Sequence, residues 1–161
     1  MTQTDAAVSA ERAPEGFGGW LIVPIIGLVV TPLRAVFHLA DYGELFASTE
    51  RLPAGLSAFL MLEFVGNIAF LLVLPIILLV VLFRKSASFP RMFIMWAAGG
   101  LAFSVLDLFT TQVLFGDILA ATGQTPLDAE VFQELIRSII LVVVWIPYMR
   151  ASRRIANTFI N

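Results

Sequence analysis

The chain has 161 residues, no cysteine and a formal net charge of −2. These values exclude disulfides and thiolate chemistry, and they argue against a basic nucleic-acid-binding surface. Hydrophobic residues make up 59% of the chain and charged residues only 14%, against roughly 25% charged in soluble domains. A soluble domain of this composition would expose large apolar patches, so the composition favours an integral membrane protein.

The first sixteen residues are small and polar, which predicts a flexible tail over residues 1–16. They lack the positive start and short apolar core of a signal peptide. An apolar segment follows and predicts a first membrane span over residues 20–40. Pro24 and Pro32 lie within it, and prolines are tolerated in membrane helices because neighbouring groups satisfy the freed backbone.

A short acidic loop is predicted over residues 41–55, followed by a second span over residues 56–83. This span exceeds the roughly 20 residues that a bilayer requires, so it should tilt, project or kink at Pro75. Glu63 and Asn67 are four positions apart and therefore share one face of the helix.

A tight basic loop carries Arg84, Lys85 and Arg91, and a third span is predicted over residues 92–115. Residues 98–102 read Ala-Gly-Gly-Leu-Ala, a small-residue face of the kind that lets two membrane helices approach closely. Asp107 lies in the later half of this span.

A turn signal at residues 123–126 predicts the next loop, with Thr125 or Asp128 as the N-cap of a fourth helix. The fourth span is predicted over residues 131–150. Residues 151–161 form a basic tail, expected to be an interfacial amphipathic helix with Ile155, Phe159 and Ile160 facing acyl chains. The predicted fold is all-α: a four-transmembrane-helix bundle over residues 17–150.

Basic residues are concentrated in the second loop and after the fourth span. By the positive-inside rule both regions are cytoplasmic, so both termini are predicted to be cytoplasmic. Trp20, Trp96, Trp145 and Tyr148 fall near the same boundary, as an interfacial aromatic belt does. The residues predicted to contact lipid headgroups are Arg84, Lys85, Arg91, Trp145, Tyr148, Arg150, Arg153 and Arg154.

The end of the chain also carries a family resemblance. Residues 145–148 read Trp-Ile-Pro-Tyr, and Ser152, Arg154 and Thr158-Phe159 follow. This pattern resembles the C-terminal signature of the bacterial family catalogued as domain of unknown function 2569.

Three further positions fit the same family. Gly18-Gly19-Trp20-Leu21 matches its opening, and Phe89-Pro90 and Arg137-Ser138 stand where it would place them. Arg153 and Ala156 replace lysines that are typical of the family tail. The resemblance covers residues 18–159 and implies a small four-helix protein of the bacterial inner membrane. The activity of the family is unassigned, so it supplies no catalytic residue.

Each predicted span carries one charge in the half of the membrane away from the basic loop: Arg34, Glu63, Asp107 and Arg137. From the rise per residue, they lie about 9–12 Å from the outer ends of their spans. We therefore predict an intramembrane polar network of Arg34, Glu63, Asn67, Asp107 and Arg137. Because spans three and four should be antiparallel neighbours, Arg137 is expected to pair with Asp107.

Three interpretations of this layer remain open. In the first, it is a buried ion-pair network that determines which helices are neighbours. In the second, it is a polar pocket that binds a small ligand, a lipid headgroup or a proton. In the third, it is a set of side chains that snorkel to the membrane surface. His38 is the single histidine, and no metal-ligand spacing surrounds it, so no metal or cofactor is expected. His38 is interpreted either as a solvated polar residue at the membrane interface or as a pH-sensitive group beside Asp41.

Three functions fit the sequence. The first is a non-enzymatic accessory or scaffolding subunit that packs its helices in a larger membrane complex or homo-oligomer. The second is a small carrier or ligand-binding membrane protein that uses the charge layer. The third is an intramembrane enzyme that uses Glu63 or Asp107 as an acid or base, although no catalytic motif in the sequence supports it. An open cavity at the charge layer would favour ligand binding, whereas a dry, fully paired layer would favour the accessory role.

Overall fold

Long apolar helices build the computed structural model, which describes residues 16–48, 54–121, 123, 127 and 129–160. Within these residues there is no strand. By length and composition, four helical stretches can cross a membrane: Gly19–Phe37, Gly55–Phe83, Phe89–Asp117 and Val131–Ala151. The chain is therefore an all-α four-helix membrane bundle, and this prediction from the sequence is confirmed.

Helix α1 is Ile22–Ser48, preceded by a 3₁₀ turn at Gly19–Leu21. Helix α2 consists of Ala54–Asn67, a π-helical segment Ile68–Val73, and Leu74–Phe83. Helix α3 is Phe89–Ala121. Helix α4 consists of Ala129–Ile140, a π-helical segment Leu141–Trp145, and Ile146–Ala151, and α5 is Arg153–Thr158.

Two of these helices run further than the sequence suggested. Residues 41–48 continue α1 and residues 116–121 continue α3, where loops were expected. Each extension contains one glycine, Gly43 or Gly116, but a single glycine is tolerated within a helix, and no proline interrupts either segment. The helix therefore continues into its polar end. The predicted caps Thr125 and Asp128 lie outside the described residues.

The two π-helical segments have an identifiable cause. Each ends directly before a proline-containing turn, with Pro75 following the first and Pro147 following the second. A proline has no N–H and its ring crowds the carbonyl four residues earlier, so a wider turn relieves the clash. The predicted kink at Pro75 is thus taken up as a π-helical widening of α2.

Helices α2 and α3 interlock through glycines and phenylalanines. A Cβ atom on Gly66 would clash with the ring of Phe103, and one on Gly99 would lie 3.1 Å from the ring of Phe70. The two rings stack with centroids 5.4 Å apart. Within a bilayer the hydrophobic effect does not favour helix association, because lipid tails are as apolar as the side chains. Close van der Waals packing of this kind therefore holds membrane helices together. The small-residue face of α3 is occupied here by a side chain of α2.

The tight loop between α2 and α3 is a Schellman turn. The Lys85 N–H donates to the Leu82 carbonyl at 2.9 Å, and the Ser86 N–H donates to the Val81 carbonyl at 3.2 Å. Lys85 has φ 51°, the left-handed conformation that this turn requires at the residue after the helix. Its ammonium lies 5.8 Å from the ring centroid of Phe17.

The buried core lies at the same end of the bundle as this loop. Its fully buried side chains include Leu21 of the 3₁₀ turn, Leu82 of α2 and Phe89 of α3. The remaining apolar surface along the spans is largely exposed, as expected for helices that face acyl chains rather than water.

Helix α5 folds back onto this core, which corrects the expectation that Ile155 and Phe159 face acyl chains. Ile155 and Phe159 are 3% and 5% exposed, and the Phe159 ring stacks on Phe89 with centroids 4.7 Å apart. Only Ile160 stays exposed, at 73%. A six-residue helix cannot bury a useful apolar face in lipid alone, whereas the bundle end offers a matching aromatic surface.

Candidate functional site

Four helices contribute polar side chains to a cavity of about 220 Å³, which we call the acidic cavity. The Tyr42 hydroxyl donates to Glu63 Oε1 at 2.6 Å and accepts from Asn67 Nδ2 at 2.8 Å. Ser104 and Asp107 of α3 and Glu134 of α4 complete its polar lining. The remaining lining residues are apolar.

Helical spacing explains how this cavity forms. Glu63 and Asn67 lie one turn apart on α2, and the extension of α1 beyond its apolar part brings Tyr42 opposite them. The Tyr42 ring packs against Phe64, with centroids 5.2 Å apart. Burial, and then the neighbouring Glu63 carboxylate, raises the pKa of the Tyr42 hydroxyl above its ordinary value. The hydroxyl therefore keeps its proton and remains the donor.

A second cavity, of about 410 Å³, lies between α1 and α4; we call it the arginine groove. Arg34 of α1 and Arg137 of α4 both line it. Leu71 and Trp96 contribute from α2 and α3, and Trp145 closes the end nearer the core. In the part of the chain that the structure describes, neither guanidinium makes a hydrogen bond or an ion pair.

A hydrogen bond between α3 and α2 holds Trp96 in the lining of this groove. The Trp96 indole N–H donates to the carbonyl of Phe70 at 2.8 Å, inside the π-helical segment of α2. The wider turn of that segment leaves backbone carbonyls available to a side chain. On α4, Leu141 and Trp145 at the two ends of the other π-helical segment line the same groove.

The structure divides the predicted polar network into two neighbouring groups. Glu63, Asn67 and Asp107 line the acidic cavity, whereas Arg34 and Arg137 line the arginine groove. The predicted Arg137–Asp107 ion pair is wrong: among the described residues, no ion pair or hydrogen bond joins these side chains. Position along each helix assigned both residues to one layer, but it carries no information on how each helix is rotated about its axis.

Glu134 links the two groups and was not predicted from the sequence. It lines both cavities together with Leu71. It lies three positions before Arg137 on one helix face, a spacing that could have identified it. Tyr42 was also missed, because a loop rather than a helix was predicted there.

The basic side chains predicted at the interface gather at one end of the bundle. The Gly16 N–H donates to Thr158 Oγ1 at 2.9 Å, and the Phe17 ring meets Phe83 edge-on at 6.1 Å. The start of α1, the α2–α3 loop and α5 therefore share this end, which we call the basic end. Its cationic residues are Arg84, Lys85, Arg91, Arg150, Arg153 and Arg154.

Arg154 has a structural position at the basic end. Its guanidinium lies against the backbone of Gly18 and Gly19, where a Cβ on Gly18 would come within 2.9 Å of it. Glycine therefore permits this approach, and Gly19 has φ 61°. Arg154 thus packs against the start of α1.

The aromatic belt is only partly interfacial. Trp20 is 74% exposed, as a residue of the belt should be, but Trp145 is only 8% exposed and belongs to the core. Tyr148 is half-buried and meets Trp145 edge-on at 5.5 Å. The side chain of His38 lies outside what the structure describes, and so does that of Asp41. Among the described residues, no group of acidic, histidine or cysteine side chains is arranged to hold a metal ion.

Comparison with known proteins gives one match. The model of a family described as a protein of unknown function, DUF2569, matches residues 14–160. No curated protein matches the chain, and neither does any solved structure. The matched region includes both cavities and the basic end.

Proposed function

The chain belongs to the DUF2569 family, and from that premise we propose that it is a non-enzymatic ligand-binding protein of the bacterial cytoplasmic membrane. In this proposal the arginine groove takes an anionic group between Arg34 and Arg137. The function is one of binding, and no covalent step is assigned to any side chain.

The observation that carries the proposal is the pair of arginines. Within the described residues, Arg34 and Arg137 face one cavity without a hydrogen-bond or ion-pair partner. A charged side chain within a membrane span costs about 2.5–3.5 kcal/mol on insertion scales. An anion held between the two guanidinium groups would offset this cost with charge-assisted hydrogen bonds.

The form of the groove also supports binding. Its volume of about 410 Å³ falls in the range of roughly 300–1,000 Å³ that is usual for small-molecule sites. Such sites are mostly apolar with a few polar groups, and the groove has this character. An open cavity at the charge layer is the feature expected of ligand binding.

The alternative is a non-enzymatic accessory or scaffolding subunit of a larger complex. One feature in its favour was the small-residue face of α3, which could contact a partner helix. Gly99 on that face accommodates the ring of Phe70 from α2, so the contact is made within the chain.

We place the basic end in the cytoplasm, because positively charged loops stay on that side. Arg34 and Arg137 then lie in the outer half of the membrane. The groove would accordingly receive its ligand from the outer leaflet or from the outer surface.

Tryptophan fluorescence tests the proposal, because Trp96 and Trp145 line the groove and Trp20 is the only other tryptophan. The protein carrying Trp20→Phe is purified in detergent and titrated with a short-chain alkyl phosphate. We expect a saturable change in emission. Loss of one charge-assisted contact should weaken binding about tenfold or more in Arg34→Gln and in Arg137→Gln.

The matched control is Arg91→Gln, an exposed arginine at the basic end outside the groove. It should bind as tightly as the parent. A titration without saturation, or equal affinity in all three arginine variants, would contradict ligand binding in this groove.

A further inference from the structure

We infer that the occupant of the arginine groove is a membrane lipid with an anionic phosphate headgroup, seated with its phosphate between Arg34 and Arg137 and an acyl chain along the groove. This inference rests on the proposed function and names the ligand class for the same site. It commits to a lipid rather than a soluble anion for three structural reasons.

The first reason is the polarity along the groove. Arg34 and Arg137 stand at one end, with the polar residues Thr31, Glu134 and Ser138 near them, and most of the remaining lining is apolar, as at Val23 and Leu141. From Arg34 to Val23 the helix rises about 16 Å, and from Arg137 to Trp145 about 12 Å. The hydrocarbon core of one leaflet is about 15 Å thick. A charged end followed by an apolar trench of this length is the complement of a lipid.

The second reason is depth. From the sequence, the first span is predicted to end at residue 40 and the fourth to begin at residue 131. At 1.5 Å per residue, Arg34 and Arg137 each lie about 9 Å inside those ends. Long arginine side chains extend toward the headgroup region from such positions. The two guanidinium groups therefore reach the level at which a lipid phosphate resides.

The third reason is access from the side. The groove lies between α1 and α4, while α1 packs mainly on α2 and α4 mainly on α3. Val23 and Val30, which line it on α1, are 50% and 41% exposed. In a bilayer these exposed flanks face acyl chains. A lipid can move into the groove sideways without leaving its leaflet, whereas a soluble anion must first cross the headgroup layer.

The charges of the residues that line the groove also limit which ligand charge fits the site. Arg34 and Arg137 contribute two positive charges, and Glu134 at the same groove contributes one negative charge. Among the described residues that line the groove, the surplus is one positive charge, which complements a phosphodiester that bears a single negative charge. Arginine is suited to this because its fork of donors matches phosphate oxygens in a bidentate arrangement.

Quenching by brominated lipids tests the inference with the full chain. The Trp20→Phe protein is reconstituted in phosphatidylcholine vesicles that contain a minor fraction of phosphatidylglycerol brominated on its acyl chains. A parallel sample contains the same fraction of brominated phosphatidylcholine. We expect the brominated phosphatidylglycerol to quench Trp96 and Trp145 severalfold more strongly, because it concentrates in the groove.

Two kinds of variant distinguish the contribution of the arginine charges to lipid binding from that of the shape of the groove. Arg34→Gln combined with Arg137→Gln should remove the preference, whereas Arg91→Gln should retain it. Gly27 lines the groove, and a Cβ atom on this residue would meet no other atom within 4 Å, so Gly27→Leu places a side chain in the groove without clashing. This variant should also lose the preference, although both arginines remain.

Equal quenching by the two brominated lipids in the parent protein would overturn the lipid inference. If the alkyl phosphate titration is nevertheless saturable and depends on the arginines, ligand binding stands and only the lipid assignment fails. If that titration also fails, the proposed function fails with it. A preference that persists in both the arginine and the Gly27→Leu variants would place the lipid elsewhere and equally overturn the inference.

Discussion

Gly66 marks the point of closest approach between α2 and α3, because the ring of Phe103 occupies the space where a side chain would begin. A methyl group there would lie well inside the contact distance of a carbon of that ring. The ring also stacks on Phe70. Neither the ring nor the helix backbone can therefore move aside freely.

We expect Gly66→Ala to destabilise the protein by about 1–3 kcal/mol through overpacking. Gly43→Ala is the matched control, since Gly43 lies within α1 and has open space around it. That control should be neutral or stabilising by up to about 1 kcal/mol, because alanine favours helix. Thermal unfolding in detergent compares the two. Equal melting temperatures would argue against the close contact.

Tyr42 gives the second prediction at this scale. Tyr42→Phe removes the hydroxyl that donates to Glu63 and accepts from Asn67, so it should cost about 1–3 kcal/mol. Tyr148→Phe makes the same chemical change at a half-buried tyrosine for which no side-chain hydrogen bond is found among the described residues. It should cost much less. Denaturant unfolding of both variants measures the difference, and equal losses would contradict the network.

Among the elements, α5 departs most from what its composition suggests. Its basic residues favour a helix on the membrane surface, yet Ile155, Thr158 and Phe159 are buried against the bundle. The Thr158 hydroxyl accepts from Gly16 N and donates to the Arg154 carbonyl at 2.7 Å. This short helix thus connects the residues before α1 to the segment after α4, at the basic end.

We therefore expect Phe159→Ala to cost about 3–5 kcal/mol, as for a large aromatic removed from a core. Ile160→Ala, at the next position, changes an exposed side chain and should stay within about 0.5 kcal/mol. Unfolding in detergent micelles distinguishes these cases. If α5 instead lay in the lipid interface, the two truncations would have similar small effects.

At the scale of the whole molecule, the basic end predicts orientation. Its cationic residues come from the α2–α3 loop and from the segment after α4, which share one end with the start of α1. We predict that this end is cytoplasmic. Reporter fusions at Gly123 and after Asn161 measure the two sides, and a cytoplasmic signal at Gly123 would reject this orientation.

Most of the architecture could be predicted from the sequence, because a membrane span appears as a long run of apolar residues. Such a run can be recognised without knowledge of the tertiary structure. The site could be predicted only in part. Depth follows from position along a helix, so Arg34, Glu63, Asp107 and Arg137 were assigned to one layer. Which of them face each other depends on the rotation of each helix, and the π-helical turns before Pro75 and Pro147 alter that rotation.

The hydrogen bond from Gly16 to Thr158 joins residues 142 positions apart. During synthesis the first span leaves the ribosome long before its partner at position 158 exists, so the basic end can form only after residue 158 has been made. Until then Leu21 and Phe89 lack the surface that later covers them. A membrane chaperone or protease could distinguish an unfinished or truncated chain from a finished one by the exposure of this single patch.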